Sequence, residues 1–246
     1  MAGRIEGLDN VHGLAGAPKR GILVAGSLSE NRGDKMAKPS QVSEEDHEAH
    51  HGGGEMVEPT AASLVTLVDA DSHKILRRTE VPGIVHHVGI SIDERFGAVT
   101  HPCLDAVSLI DLDSGEVTDT IATGPIPEYV VADPETGTFF VSNAGNNTIS
   151  ELDPDDGIVT RSFKLQGPPK HMLLLAKARQ LIVSESDTGR VSIVDADNGE
   201  TLDTFEICGD LHGLAADNGA IWSSARERDR VVRIDRNTGE RLEVKV

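Results

Sequence analysis

Four imidazoles stand at one repeating position of this 246-residue chain. His12 lies in HGLAGAPKRGILVAGS, His87 in HVGISIDERFGAVTH, His171 in HMLLLAKARQLIVSE and His212 in HGLAADNGAIWSSA. A fifth segment of the same pattern, YVVADPETGTFFVSN, has Tyr129 there, and from His87 onward the steps are 42, 42 and 41 residues. Neutral imidazole is the commonest protein ligand for zinc and also suits copper and nickel. Side chains in one register of a repeat converge if the repeats stand around an axis. Three or four such groups, with carboxylates to complete the shell, make a tetrahedral zinc site. His12, His87, His171 and His212 are therefore the first candidates for a metal site, with no need for all four to bind at once.

Two further groups belong to the same chemistry. His101, Asn143 and Glu185 end corresponding runs in three of the repeats, which makes His101 and Glu185 reserve ligands. The tract DHEAHH carries His47, His50 and His51, flanked by Glu44, Glu45, Asp46 and Glu48 and followed by Gly52–Gly54. Such a tract reads as a collector that captures an ion and hands it over.

The elements that must position these residues are short strands. Each repeat holds four strand-like runs separated by Asp-, Gly- and Pro-rich turns. In the second they are VHHVGIS (85–91), FGAVTH (96–101), AVSLIDL (106–112) and EVTDTIA (116–122). An Asp closes the third run 24 residues after the hub position in three repeats (Asp111, Asp153, Asp195), 23 after it at Asp235, and 57 after it at Asp69. The excess of 33 residues in the first repeat defines an insertion over roughly 28–60, polar and without apolar periodicity, expected to be a long mobile loop. Four antiparallel strands per unit of about 40–50 residues are what a β-propeller blade requires, so the expected fold is all-β, one propeller domain over 1–246.

GPIPEYVVADPETGTFFVSNAGNNTISELD (124–153) and VSLIDLDSGEVTDTIATG (107–124) resemble the YVTN, or YncE-like, family of β-propeller repeats. That resemblance implies that the innermost strand of each blade lines a central channel and that its first residues sit at the upper mouth. The loops between second and third strands, including the insertion, would share that mouth. Family members usually have seven or eight blades; five are recognisable here, either a small ring or part of a larger one. The start RIEGLDNVHGL also aligns with TFEICGDLHGL, the end of one blade and the beginning of the next. The layout of a hub histidine site under a His-rich loop is similar to that of periplasmic zinc metallochaperones, and the resemblance suggests a periplasmic or extracellular setting.

Composition narrows the classes. With 41 acidic and 23 basic residues the formal charge is −18, which argues against nucleic acid and anionic membrane surfaces as partners. No run approaches the roughly 18 apolar residues of a membrane span, and the first ten residues have no apolar signal region. Two cysteines make no disulfide framework. Three readings remain: a zinc (or copper) binding propeller that serves a receiving protein on its upper face, a scaffold whose histidines only satisfy backbone groups, and a lyase or hydrolase using a hub histidine as base. No Ser–His–Asp order, P-loop or haem-attachment motif supports the last.

Overall fold

The computed structural model describes residues 4–8, 10–28, 62–185, 188–207, 209–217, 219–225 and 228–246. These residues form five antiparallel four-stranded sheets, each a meander of consecutive strands. The first is β1 (Val11–Ala17), β2 (Ile22–Ser27), β3 (Ala62–Asp69) and β4 (Ile75–Pro82). The second is β5 (Val88–Ile90), β6 (Phe96–His101), β7 (Ala106–Asp111) and β8 (Val117–Ala122). The third is β9 (Pro127–Ala132), β10 (Phe139–Asn143), β11 (Thr148–Asp153) and β12 (Ile158–Lys164). β13 (Pro169–Leu175), β14 (Gln180–Glu185), β15 (Arg190–Asp195) and β16 (Thr201–Glu206) make the fourth. β17 (Leu211–Ala216), β18 (Ala220–Ala225), β19 (Arg230–Asp235) and β20 (Arg241–Lys245) make the fifth. The described residues make five blades of a β-propeller, as the repeat predicts.

The repeated aspartate has a local cause. Asp111, Asp153, Asp195 and Asp235 each accept two backbone N–H groups of the following turn on Oδ1, at 2.7–3.1 Å, and Asp69 accepts that of Ser72. The turn then needs a left-handed residue four positions after the Asp, supplied by glycine in four blades and by His73 (φ 59°) in the first.

Blades pack face to face through cores of Val, Ile, Leu and Phe. One core joins Val24 and Val65 of the first blade to Val88, Val99 and Ile110 of the second, and three similar cores join the later pairs. Because a middle blade is covered on both sides, β6 and β10 are buried along their whole length. At the end of the blades away from the hub, ion pairs tie neighbours together. Arg20 meets Asp113, Arg95 meets Asp155 at 2.8 Å, and Arg179 bridges Asp133 and Asp197.

Val11 pairs with Ser27 in the first sheet, so β2 ends beside the start of β1. The inserted segment therefore leaves the blade next to His12. Its residues 29–61, including His47, His50 and His51, lie outside the described residues.

Candidate functional site at the propeller hub

The inner strands β9, β13 and β17, with the approach to β5, bring the hub rings into one file. His87 and Tyr129 lie 3.6 Å apart between ring centres, Tyr129 and His171 4.9 Å, His87 and His171 6.3 Å, and His171 and His212 4.7 Å. His87, Tyr129, His171 and His212 are half-buried and His12 is exposed. The convergence expected of one repeat register is thus present for His87, His171 and His212, with Tyr129 among them.

In the second, third and fourth blades a hydroxyl one place from the end of the second strand sets the height of this file. Thr100 Oγ1, Ser142 Oγ and Ser184 Oγ accept the backbone N–H of His87, Tyr129 and His171 at 2.9, 3.0 and 3.1 Å. Ser142 also donates to the carbonyl of Lys170 in the next blade at 2.7 Å, linking two hub positions. In the fifth blade Ser224 accepts the N–H of Gly213 instead. Sequence reasoning missed this column, although its signal was present: Thr100, Ser142 and Ser184 each stand 13 residues after the hub residue.

His12 forms a second group with His86, their ring centres 4.6 Å apart. His12 Nδ1 is 2.7 Å from the carbonyl of His86, and His86 Nδ1 is 2.8 Å from the carbonyl of Glu128 and 3.3 Å from its carboxylate. A carbonyl facing Nδ1 fixes the proton there and leaves Nε2 as the lone pair, the usual second-shell arrangement of a metal-binding histidine. Strand alternation predicts that His86 points away from His87 and serves as framework. β5 begins at Val88, and in the stretch before it the His86 ring is held by the Glu128 carbonyl, while the His87 ring meets Tyr129 and His171.

Charge is kept out of the file. Burial, followed by the neighbouring His86 and His12, lowers the His87 pKa to about 4. Burial, followed by His212, His87, His86 and Lys170, lowers that of His171 to about 3. Both rings are neutral at physiological pH. The buried Nδ1 of His87 has no hydrogen-bond partner, a cost that an ion or ligand atom would relieve.

The reserve ligands belong to the blades. His101 is fully buried, with Nδ1 3.1 Å from the Ile84 carbonyl and Nε2 2.9 Å from Ser108 Oγ, so neither nitrogen has a lone pair to spare. The equivalent Asn143 donates to Ser150 at 2.9 Å, and Glu185 Oε1 accepts from Ser192. Each of these residues reaches a serine seven positions on, across to the third strand. His101 is thereby corrected from a reserve ligand to framework; Glu185 gives Oε1 to its own blade, while its buried Oε2 has no hydrogen-bond partner and lies 3.9 Å from Arg190. Among the described residues, no three His, Cys, Asp or Glu side chains stand in position to share an ion without rearrangement. Nor is any helix among them long and apolar enough to cross a membrane.

No protein-family model and no curated relative matches the chain. Among solved structures it is similar to virginiamycin B lyase from Staphylococcus aureus, at 17% identity and TM-score 0.68, covering 96% of this chain and 70% of that one. A catalytically inactive histidine-to-alanine form of that lyase, with quinupristin, matches at 18% and 0.69. Dihydro-heme d1 dehydrogenase NirN, in complex with DHE, matches at 15% and 0.67, covering 96% of this chain and 47% of that one. Hydrazine synthase of Kuenenia stuttgartiensis matches at 17% and 0.65, covering 76% and 63%. The chain thus spans less than two thirds of the last two proteins. Likeness at these identities is likeness of fold.

Proposed function

We propose that this propeller binds a transition-metal ion, zinc first, at the hub through His87, His171 and His212, with His12 and His86 as a flanking pair. The observation that carries the reading is the file of converging imidazoles, two of which, His87 and His171, have pKa values lowered by burial. Two imidazoles that share one tetrahedral ion at 2.0–2.1 Å put their ring centres about 5 Å apart. The separations of 4.7 Å and 6.3 Å bracket that value. The His87–His171 and His171–His212 pairs are already set edge to face, at 71° and 62°, so ligation requires the rings to turn about their own bonds and not to unstack from each other. Copper suits the same donors.

The lyase reading uses the same histidines as bases and is weaker on magnitude. A base with pKa about 3 or 4 is unprotonated but has little driving force to take a proton at neutral pH, whereas a ligand needs only the free lone pair. A carrier role, with a protein docking on the mouth to receive the ion, is the extension of this reading that His47, His50 and His51 support by sequence alone.

The test is metal content by elemental analysis of untagged protein, then zinc titration of three chains: the parent, His87→Ala with His171→Ala, and a deletion of 44–51. The expected result is about one tightly held ion per chain in the parent and the deletion, and none in the double variant. Equal binding by the double variant would remove the hub assignment. Binding lost only in the deletion would leave a propeller scaffold with a weak His-rich tract.

A further inference from the structure

The residue before the hub position is Val11, His86, Glu128, Lys170 and Leu211 in successive blades, so Glu128 is the one carboxylate of that column. It joins the two groups of rings at the mouth. His86 Nδ1 lies 2.8 Å from the Glu128 carbonyl and 3.3 Å from its carboxylate, so one N–H is shared by two acceptors of the same residue. The residue after Glu128 is Tyr129, whose ring lies 3.6 Å from that of His87. The His86 and Glu128 side chains are only 23% and 16% exposed, which leaves their pairing little screened by water. The backbone is strained to place Glu128. Ile126, two residues earlier, is β-branched and has φ +53°, a conformation that such a residue rarely takes. At the same place, three residues before its hub position, the fifth blade has Gly209 at φ +104°, where glycine is unstrained. Ile126 is held by its surroundings: its N–H donates to Oδ1 of the buried Asp105 at 3.0 Å, its carbonyl accepts the Ala144 N–H at 2.9 Å, and the Pro125 carbonyl accepts that of Gly145 at 3.0 Å. Strain that the surroundings fix in this way clusters where position matters to a site.

We propose that Glu128 makes the hub selective for divalent over monovalent ions, by holding one negative charge behind the His86 imidazole. The proposal rests on the metal reading above. Imidazoles are uncharged donors that suit zinc and copper alike. Coulomb energy, by contrast, scales with the charge of the ion. A fixed carboxylate therefore raises the affinity of a doubly charged ion by twice as many powers of ten as that of a singly charged ion in the same place. Glu128 touches His86 and not the ion, so it is a positioning residue: a carboxylate behind an imidazole N–H orients the ring and makes its other nitrogen a better donor.

The experiment is competition titration of the full chain, Glu128→Gln and Glu128→Asp with Zn(II) and, under anaerobic reducing conditions, with Cu(I), after thermal unfolding has shown the variants folded. Gln keeps the length of the side chain and an oxygen that can accept from His86, so that variant removes charge alone. Asp keeps the charge and shortens the reach. Glu128→Gln should bind Zn(II) about 10- to 100-fold more weakly than the parent, the scale of a lost outer-shell partner. Its Cu(I) affinity should fall by only about 3- to 10-fold, the square root of that factor. Glu128→Asp should keep most of the parent's preference for Zn(II). Equal losses of both ions in Glu128→Gln, or a preference kept by Gln and lost by Asp, would show a role in shape and overturn the proposal. Unchanged affinities in Glu128→Gln would overturn it and leave the metal reading standing. A parent that binds neither ion ends the metal reading, and this proposal with it.

Discussion

Replacing His101 by Asn should remove a large part of the acid sensitivity of this fold. His101 is fully buried between the Ile84 carbonyl and Ser108 Oγ, and burial lowers its pKa from 6.5 to about 4. The folded state therefore refuses a proton that the unfolded chain accepts at 6.5. Stability is complete above the unfolded value and is lost as pH falls from 6.5 toward 4. Worked at about pH 5, the two pKa values make the folded state about 2 kcal/mol less favourable than at about pH 7.5. Asn fills the equivalent position in the third blade, where Asn143 makes the same bond to Ser150. His101→Asn therefore keeps the Ser108 contact and deletes the titration. The assay is urea unfolding of both chains at the two pH values. Any packing cost of the substitution appears at both and cancels, so the parent should lose about 2 kcal/mol more than the variant on acidification. Equal losses would refute the assignment of His101 as a buried neutral strut.

Two other substitutions test the blade contacts. Arg179→Met leaves the fully buried carboxylate of Asp133 without its counter-charge, with the backbone N–H of Glu135 and the Thr136 side chain as partners, and should cost about 3 kcal/mol in urea unfolding; adding Asp133→Asn should restore part of it. Gly199→Ala forces a side chain into φ +77° against the Phe163 ring, and should cost more than the about 1–2 kcal/mol of backbone strain alone, whereas Gly239→Ala, at φ +74° with open space around it, should cost only the strain.

The fold was legible because the propeller states it five times. The Asp that closes each third strand, the glycine four residues later and the hub position recur at fixed intervals, and each is tied to a local hydrogen bond or φ value that the structure contains. The site was legible only in part. Periodicity located the hub file but could not say whether a polar side chain faces the channel or its own blade, and so His101 and Glu185 read as ligands. The serine seven residues after each was the available sign of the alternative.

Tyr129 separates the two roles a hub ring can have. It fills the same position in the third blade, stacks on His87 and His171, and its N–H is held by Ser142 as theirs are by Thr100 and Ser184. Burial raises its pKa, so it is neutral at acidic and neutral pH. A tyrosine therefore meets every framework demand of the position without the acid penalty that a buried imidazole carries. Four blades nevertheless use histidine, and what imidazole adds is a ring-nitrogen lone pair that the phenol lacks. His171→Tyr exploits this difference. If the ring only fills the hub, the variant should fold, resist acid better than the parent and show unchanged affinity for zinc. If the lone pair is the function, it should fold, resist acid better and lose zinc affinity by about 100-fold or more, at or beyond the upper end of what loss of a mere outer-shell partner costs. Acid unfolding and zinc titration of the one variant read both quantities, and unchanged zinc affinity in a folded protein would end the metal reading.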